Sequence, residues 1–118
     1  MLEFELNEKD GIVHVRPSGM LEREDMLIVT KVVDDYIDKT GVLPGLLIDI
    51  STCAGWHDMG AFTTHMNFIE KHHMKVARVA IVSDSKLLTF VPKIADFFLQ
   101  SEVKQYSRFD DAVQWLLL

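Results

Sequence analysis

The sequence predicts an α/β domain, a mostly parallel five-stranded sheet with four helices in the order ββαβαβαβα. Three observations carry this. Leu46–Ile50 and Val76–Val82 are short, almost wholly apolar runs, as in strands covered on both faces. The stretches between such runs place apolar residues at helical spacing. The first residues alternate with period two about a glycine-bearing turn, the pattern of a hairpin.

Leu2-Glu3-Phe4-Glu5-Leu6 alternates and reads as a half-exposed strand. Asn7 to Gly11 is a turn, with Gly11 free to take a positive φ. Ile12-Val13-His14-Val15-Arg16 is the second strand, ended by Pro17-Ser18-Gly19. From Leu21 to Lys39 the period becomes helical, with Met26, Val29, Val33, Tyr36 and Ile37 on one face. Glu22, Glu24 and Asp25 sit near the positive end of that helix's dipole. Gly41 stops it, and Pro44-Gly45 is expected as a turn before the next strand.

After Leu46–Ile50, a second helix is expected over His57–His72, with Phe62, Met66, Ile69 and His73 in one stripe. Val76–Val82 follows as a strand, and Asp84 or Ser85 can cap what comes next. A third helix over Lys86–Gln100 is unusually apolar, and Pro92 marks its start or a bend. Glu102–Tyr106 reads as a charged edge strand. Phe109–Leu118 is a terminal helix whose Ala112, Trp115 and Leu116 pack back on the sheet.

The length, 118 residues, suits a single domain over 1–118. Eighteen acids against 12 bases give a formal charge of −6, and no Lys/Arg-rich run exists, so a nucleic-acid partner is not expected. A lone cysteine, Cys53, excludes an intramolecular disulfide and a cysteine-based zinc cluster. Met1–Gly11 lacks the basic-then-apolar pattern of a signal peptide. No run of 18 apolar residues is long enough to span a bilayer. The expected location is the cytoplasm, with attachment at the periphery of the inner membrane left open.

Four segments together resemble a known family: IVHVRPSGMLEREDM at 12–26, LLIDIS at 46–51, RVAIVSD at 78–84 and SRFDDAVQWL at 107–116. They are similar to the SpoIIAA-like superfamily, which includes STAS domains and anti-sigma-factor antagonists. The closest likeness is to the small uncharacterised bacterial SpoIIAA-like proteins, and it covers essentially the whole chain. It implies the SpoIIAA-like fold. For the wider family it implies a serine phosphorylated where the helix begins after the Leu46–Ile50 strand. The family motif there runs roughly Asp-Ser-Ser-Gly, whereas this chain has Asp49-Ile50-Ser51-Thr52-Cys53-Ala54-Gly55, with the hydroxyls too far ahead of the glycine. The fold's likeness to lipid-binding CRAL-TRIO domains implies an apolar ligand or a membrane surface.

The candidate sites cluster around the exit of the Leu46–Ile50 strand. Asp49 is expected to accept backbone N–H groups of the following turn and lock the corner. Ser51 and Thr52 are candidate phosphoacceptors, and turn hydroxyls explain them equally well. Cys53 reads as a small buried residue. Trp56 and His57, followed by Met59 and Phe62, can line one lip of an apolar pocket. Leu87, Phe90, Val91 and Ile94 would form the other lip. Leu88, Phe90 and Phe97 widen the third helix beyond what one core face needs and suggest a homodimer seam. His65, His72 and His73 lack a metal-binding spacing, so no metal is expected.

Function divides three ways. The leading reading is a non-enzymatic binding module that takes an apolar or lipid-like ligand or a membrane surface and needs no cofactor. The second is a STAS-type regulatory domain that binds a protein partner and is switched at Ser51 or Thr52. The third, ranked last, is a small hydrolase using Asp49, Cys53 or His57, for which nucleophile, base and oxyanion donors are not visibly assembled.

Overall fold

The computed structural model describes residues 2–17, 23–51, 75–84, 92, 98 and 101–118. Its first two strands, β1 (Leu2–Asn7) and β2 (Ile12–Pro17), pair antiparallel. Their turn is built by side chain and backbone together. Asn7 Oδ1 accepts from the Asp10 backbone N–H at 3.2 Å, and Gly11 N–H donates to Asn7 O at 2.8 Å. Gly11 has φ +71°, and a β-carbon there would lie 2.6 Å from the Tyr36 hydroxyl and 2.7 Å from Pro44. Glycine is therefore required twice over, by conformation and by space.

The helix α1 (Arg23–Thr40) connects β2 to β3 (Leu43–Asp49). Val29 and Val33 are buried against the sheet, with Tyr36 and Ile37 packed beside them. Gly41, at φ +89°, ends the helix by donating to Ile37 O. The strand begins three residues earlier than the apolar run predicts. Pro44 and Gly45, expected as a turn, lie inside β3. Pro44 is tolerated because it stands at the strand's start, one residue before the ladder to β2 begins at Gly45.

Strand β4 (Val76–Val82), strand β5 (Glu102–Tyr106) and helix α2 (Phe109–Leu116) complete the described elements. The two strands have the predicted bounds. The terminal helix stops two residues short of its predicted end, with Leu117 and Leu118 exposed beyond it. The helices expected over 57–72 and 86–100 fall outside the described residues, apart from Pro92 and Phe98. Phe98 is buried in the core beside Val29 and Val33.

Strand order follows chain order, β1-β2-β3-β4-β5. β2–β3, β3–β4 and β4–β5 are parallel, whereas β1–β2 is antiparallel. The sheet is therefore mixed rather than mostly parallel, since the short turn between β1 and β2 must reverse the chain.

Each face of the sheet has its own core. On the first, Val13, Val15, Leu46, Ile48, Val79 and Ile81 pack under α1. On the second, Ile12, Leu47, Ala80 and Val82 pack under Ala112, Trp115 and Leu116 of α2. Trp115 is held from several sides. Arg78 donates to its carbonyl at 3.0 Å and lies 5.4 Å from its ring centre, with Lys104 Nζ 5.3 Å away. With eight residues, α2 extends only about 12 Å and contacts β3, β4 and β5. The β1–β2 end of this face carries charged side chains instead.

Candidate functional site

Alternation along β2 sends Val13 and Val15 into the first core and leaves His14 and Arg16 on the second face. In β1, Phe4 and Leu6 pack the first core. Glu5 pairs in register with His14, and Glu3 with Arg16. Among the described residues, four charged or titratable side chains therefore share the part of the second face beyond α2.

Val15 pairs with Ile48 across the parallel β2–β3 ladder. One residue further, Arg16 stands beside Asp49, which is almost fully buried. The two carboxylate oxygens are divided between partners. Oδ2 accepts from Arg16 Nη2 at 3.1 Å and Nε at 3.3 Å. Oδ1 accepts from the Ser51 backbone N–H at 3.0 Å and the Ser51 hydroxyl at 2.5 Å. A buried carboxylate is thus neutralised by one cation and saturated by the turn that follows it.

His14 completes the cluster without joining its hydrogen bonds. Its Nε2 lies 4.0 Å from Asp49 Oδ2, beyond hydrogen-bond reach, and is buried with no partner among the described residues. Its ring leans on Phe109 of α2 at 4.9 Å between centres. Burial, opposed mainly by the Asp49 charge, pushes the imidazole below its ordinary pKa. Two shallow depressions flank it. One of about 190 Å³ is lined by Glu3, Phe4, Glu5, His14 and Arg16. The other, about 210 Å³, runs from Glu5 and Ile12 to Phe109 and Val113.

A second polar corner closes the neighbouring strand. Ser83, buried at the exit of β4, donates its backbone N–H to Tyr106 O. The Gln105 amide donates to the Ser83 carbonyl and hydroxyl at 3.1 and 3.2 Å.

Of the residues singled out from sequence, Asp49 and Ser51 meet in the corner at the exit of β3. Thr52, Cys53, Trp56, His57, Met59, Phe62, His65, His72 and His73 lie outside the described residues. So do Leu87, Leu88, Phe90, Val91, Ile94 and Phe97. Among the described residues, no group of three His, Cys, Asp or Glu side chains is placed to hold a metal ion. No described helix is long and apolar enough to cross a membrane. Sequence reasoning missed His14 and Arg16 as site residues. Their alternation in β2 placed them on one face, but their approach to Asp49 depends on the β2–β3 register.

The chain is a small α/β protein, a mixed sheet in chain order whose central strand ends in a hydrogen-bonded Asp-Ile-Ser corner. The chain belongs to the SpoIIAA-like family, whose model matches residues 12–117. Among solved structures it is similar to an uncharacterized DUF3478-family protein with a SpoIIAA-like fold from Shewanella loihica PV-4. That likeness has 23% identity and a TM-score of 0.63, covering 98% of this chain and 92% of that one. An anti-sigma factor antagonist from Mycobacterium paratuberculosis matches at 14% identity and a TM-score of 0.49, covering 98% and 94%. The first likeness is one of fold. No curated protein matches the chain.

Proposed function

We propose that the chain is a single, non-enzymatic regulatory domain that binds a protein partner, with the exit of β3 as its working corner. Membership of the SpoIIAA-like family supports the class. The observation that carries the reading is the Ser51 hydroxyl, on an exposed residue yet bonded to the buried Asp49 carboxylate. A phosphoryl group on Ser51 would set a dianion against Asp49 and break that bond. The corner would then have to reorganise, and a partner bound there would sense the change. Thr52, next in sequence, is the alternative acceptor.

The test has two stages. The chain is incubated with kinases of its source cell, and phosphate is mapped. Partners retained by immobilised wild-type and Ser51→Asp chains are then compared. Phosphate at Ser51 or Thr52, with a partner kept by wild type and lost by Ser51→Asp, is the expected result. Absence of phosphate from the turn, with identical retention by both chains, overturns the switch.

A second reading keeps the apolar or lipid-like ligand between Trp56, His57, Met59 and Phe62 on one side and Leu87, Phe90, Val91 and Ile94 on the other. It also keeps a homodimer seam at Leu88, Phe90 and Phe97, and contact with a membrane surface. It rests on the surplus of apolar residues over 86–100 and on the helices expected at 57–72 and 86–100. Native mass spectrometry and co-sedimentation with anionic liposomes separate it from the first. A retained lipid or vesicle binding would favour it.

A further inference from the structure

The charged end of the second face holds a titratable group that the corner does not use. His14 Nε2 is buried, has no hydrogen-bond partner among the described residues, and faces Asp49 Oδ2 from 4.0 Å. Among the described residues, the groups around it are Glu3 and Glu5 from β1, Arg16 from β2, Asp49 from β3 and the uncharged ring of Phe109 from α2. While His14 is neutral, Asp49 Oδ2 belongs to Arg16. A proton on the imidazole makes Nε2–H a charge-assisted donor beside that same oxygen. Two cations then compete for one acceptor.

Arg16 is the one able to leave. Its side chain is 38% exposed against 25% for His14, and the His14 ring rests on Phe109. A second carboxylate is also within its strand's register, since Glu3 pairs with Arg16 and both line the 190 Å³ depression. We propose that His14 is a proton-operated switch that, once charged, takes Asp49 Oδ2 and sends Arg16 into the depression toward Glu3. The device redirects a guanidinium on the open face without unfolding the corner, because Ser51 keeps Oδ1. It does not require phosphorylation of Ser51 or any bound partner.

The test is an NMR titration of the full ¹⁵N-labelled chain from about pH 7.5 to about pH 5, across the range where histidine charges. The His14 ring and the Arg16 Nε–H are followed together. The expected result is an Arg16 shift with the same midpoint as His14, and loss of that shift in His14→Gln. An Arg16 signal that stays fixed through the His14 titration overturns the proposal, as does an equal shift in His14→Gln. Should His14→Gln fail to fold, Glu3→Gln decides. A weakened Arg16 response supports the switch, and an unchanged one rejects it.

Discussion

Arg16 places two nitrogens on a single oxygen of Asp49, at 3.1 and 3.3 Å, and leaves the other oxygen to Ser51. This division makes the corner asymmetric. One oxygen faces a partly exposed cation on β2, and the other is committed to the chain that follows β3. Changes on the two sides therefore have different costs.

Removing Arg16 strands a buried carboxylate with the turn alone, whereas removing the Ser51 hydroxyl leaves the backbone N–H still bound. Arg16→Met is expected to destabilise by about 2 kcal/mol, less than a fully buried pair because the guanidinium is partly exposed. Ser51→Ala is expected to cost no more than about 1 kcal/mol. Urea unfolding of both variants reads the order. A larger loss for Ser51→Ala would show that Arg16 is not the main counterion.

His14 gives the fold a pH dependence of definite sign. Its folded pKa lies below its ordinary value because burial disfavours the charged ring. Below about pH 6.5 the unfolded chain binds the proton more readily than the folded one, so its contribution to stability falls with pH. That loss levels off once pH is below the folded pKa. In His14→Gln this part of the slope is expected to disappear, as measured by urea midpoints at neutral and mildly acidic pH.

Gly11→Ala meets a forbidden conformation and a wall. The new methyl would collide with Tyr36 and Pro44, and φ is positive. A loss of about 2–3 kcal/mol is expected. Tyr36→Phe in the same chain should recover only part of it, since Pro44 remains. Full recovery in a thermal melt would place the whole cost on the hydroxyl.

Trp115 anchors α2 through its ring, and its carbonyl holds Arg78. Trp115→Ala is expected to lose about 3–5 kcal/mol, as for other large-to-small changes in a core. Arg78→Met should lose much less, because the ring stays in place against Tyr106 and the sheet. Comparable losses in calorimetry would mean that the cation, not the indole, secures the helix.

Much of this architecture was legible residue by residue. The apolar run Val76–Val82 and the charged run Glu102–Tyr106 became strands with the predicted bounds, since local pattern sets both. Ala112, Trp115 and Leu116 were readable as the buried face of the last helix. Pro44-Gly45 misled because the dipeptide signals a turn locally, while tertiary pairing drew Gly45 into the ladder with Ile12. The Asp49–Ser51 half of the corner lies within three residues and could be anticipated. The Arg16 and His14 half could not, because it joins strands 33 residues apart through a register that no local pattern encodes.

Because spatial order follows chain order, each strand meets its neighbour as soon as it leaves the ribosome, and the sheet can grow from its N-terminal edge. The second face does not share this advantage. Leu47, Ala80 and Val82 wait for Ala112, Trp115 and Leu116, which are made well after them. Until α2 is made, the apolar side chains it will cover are the kind of surface a chaperone holds.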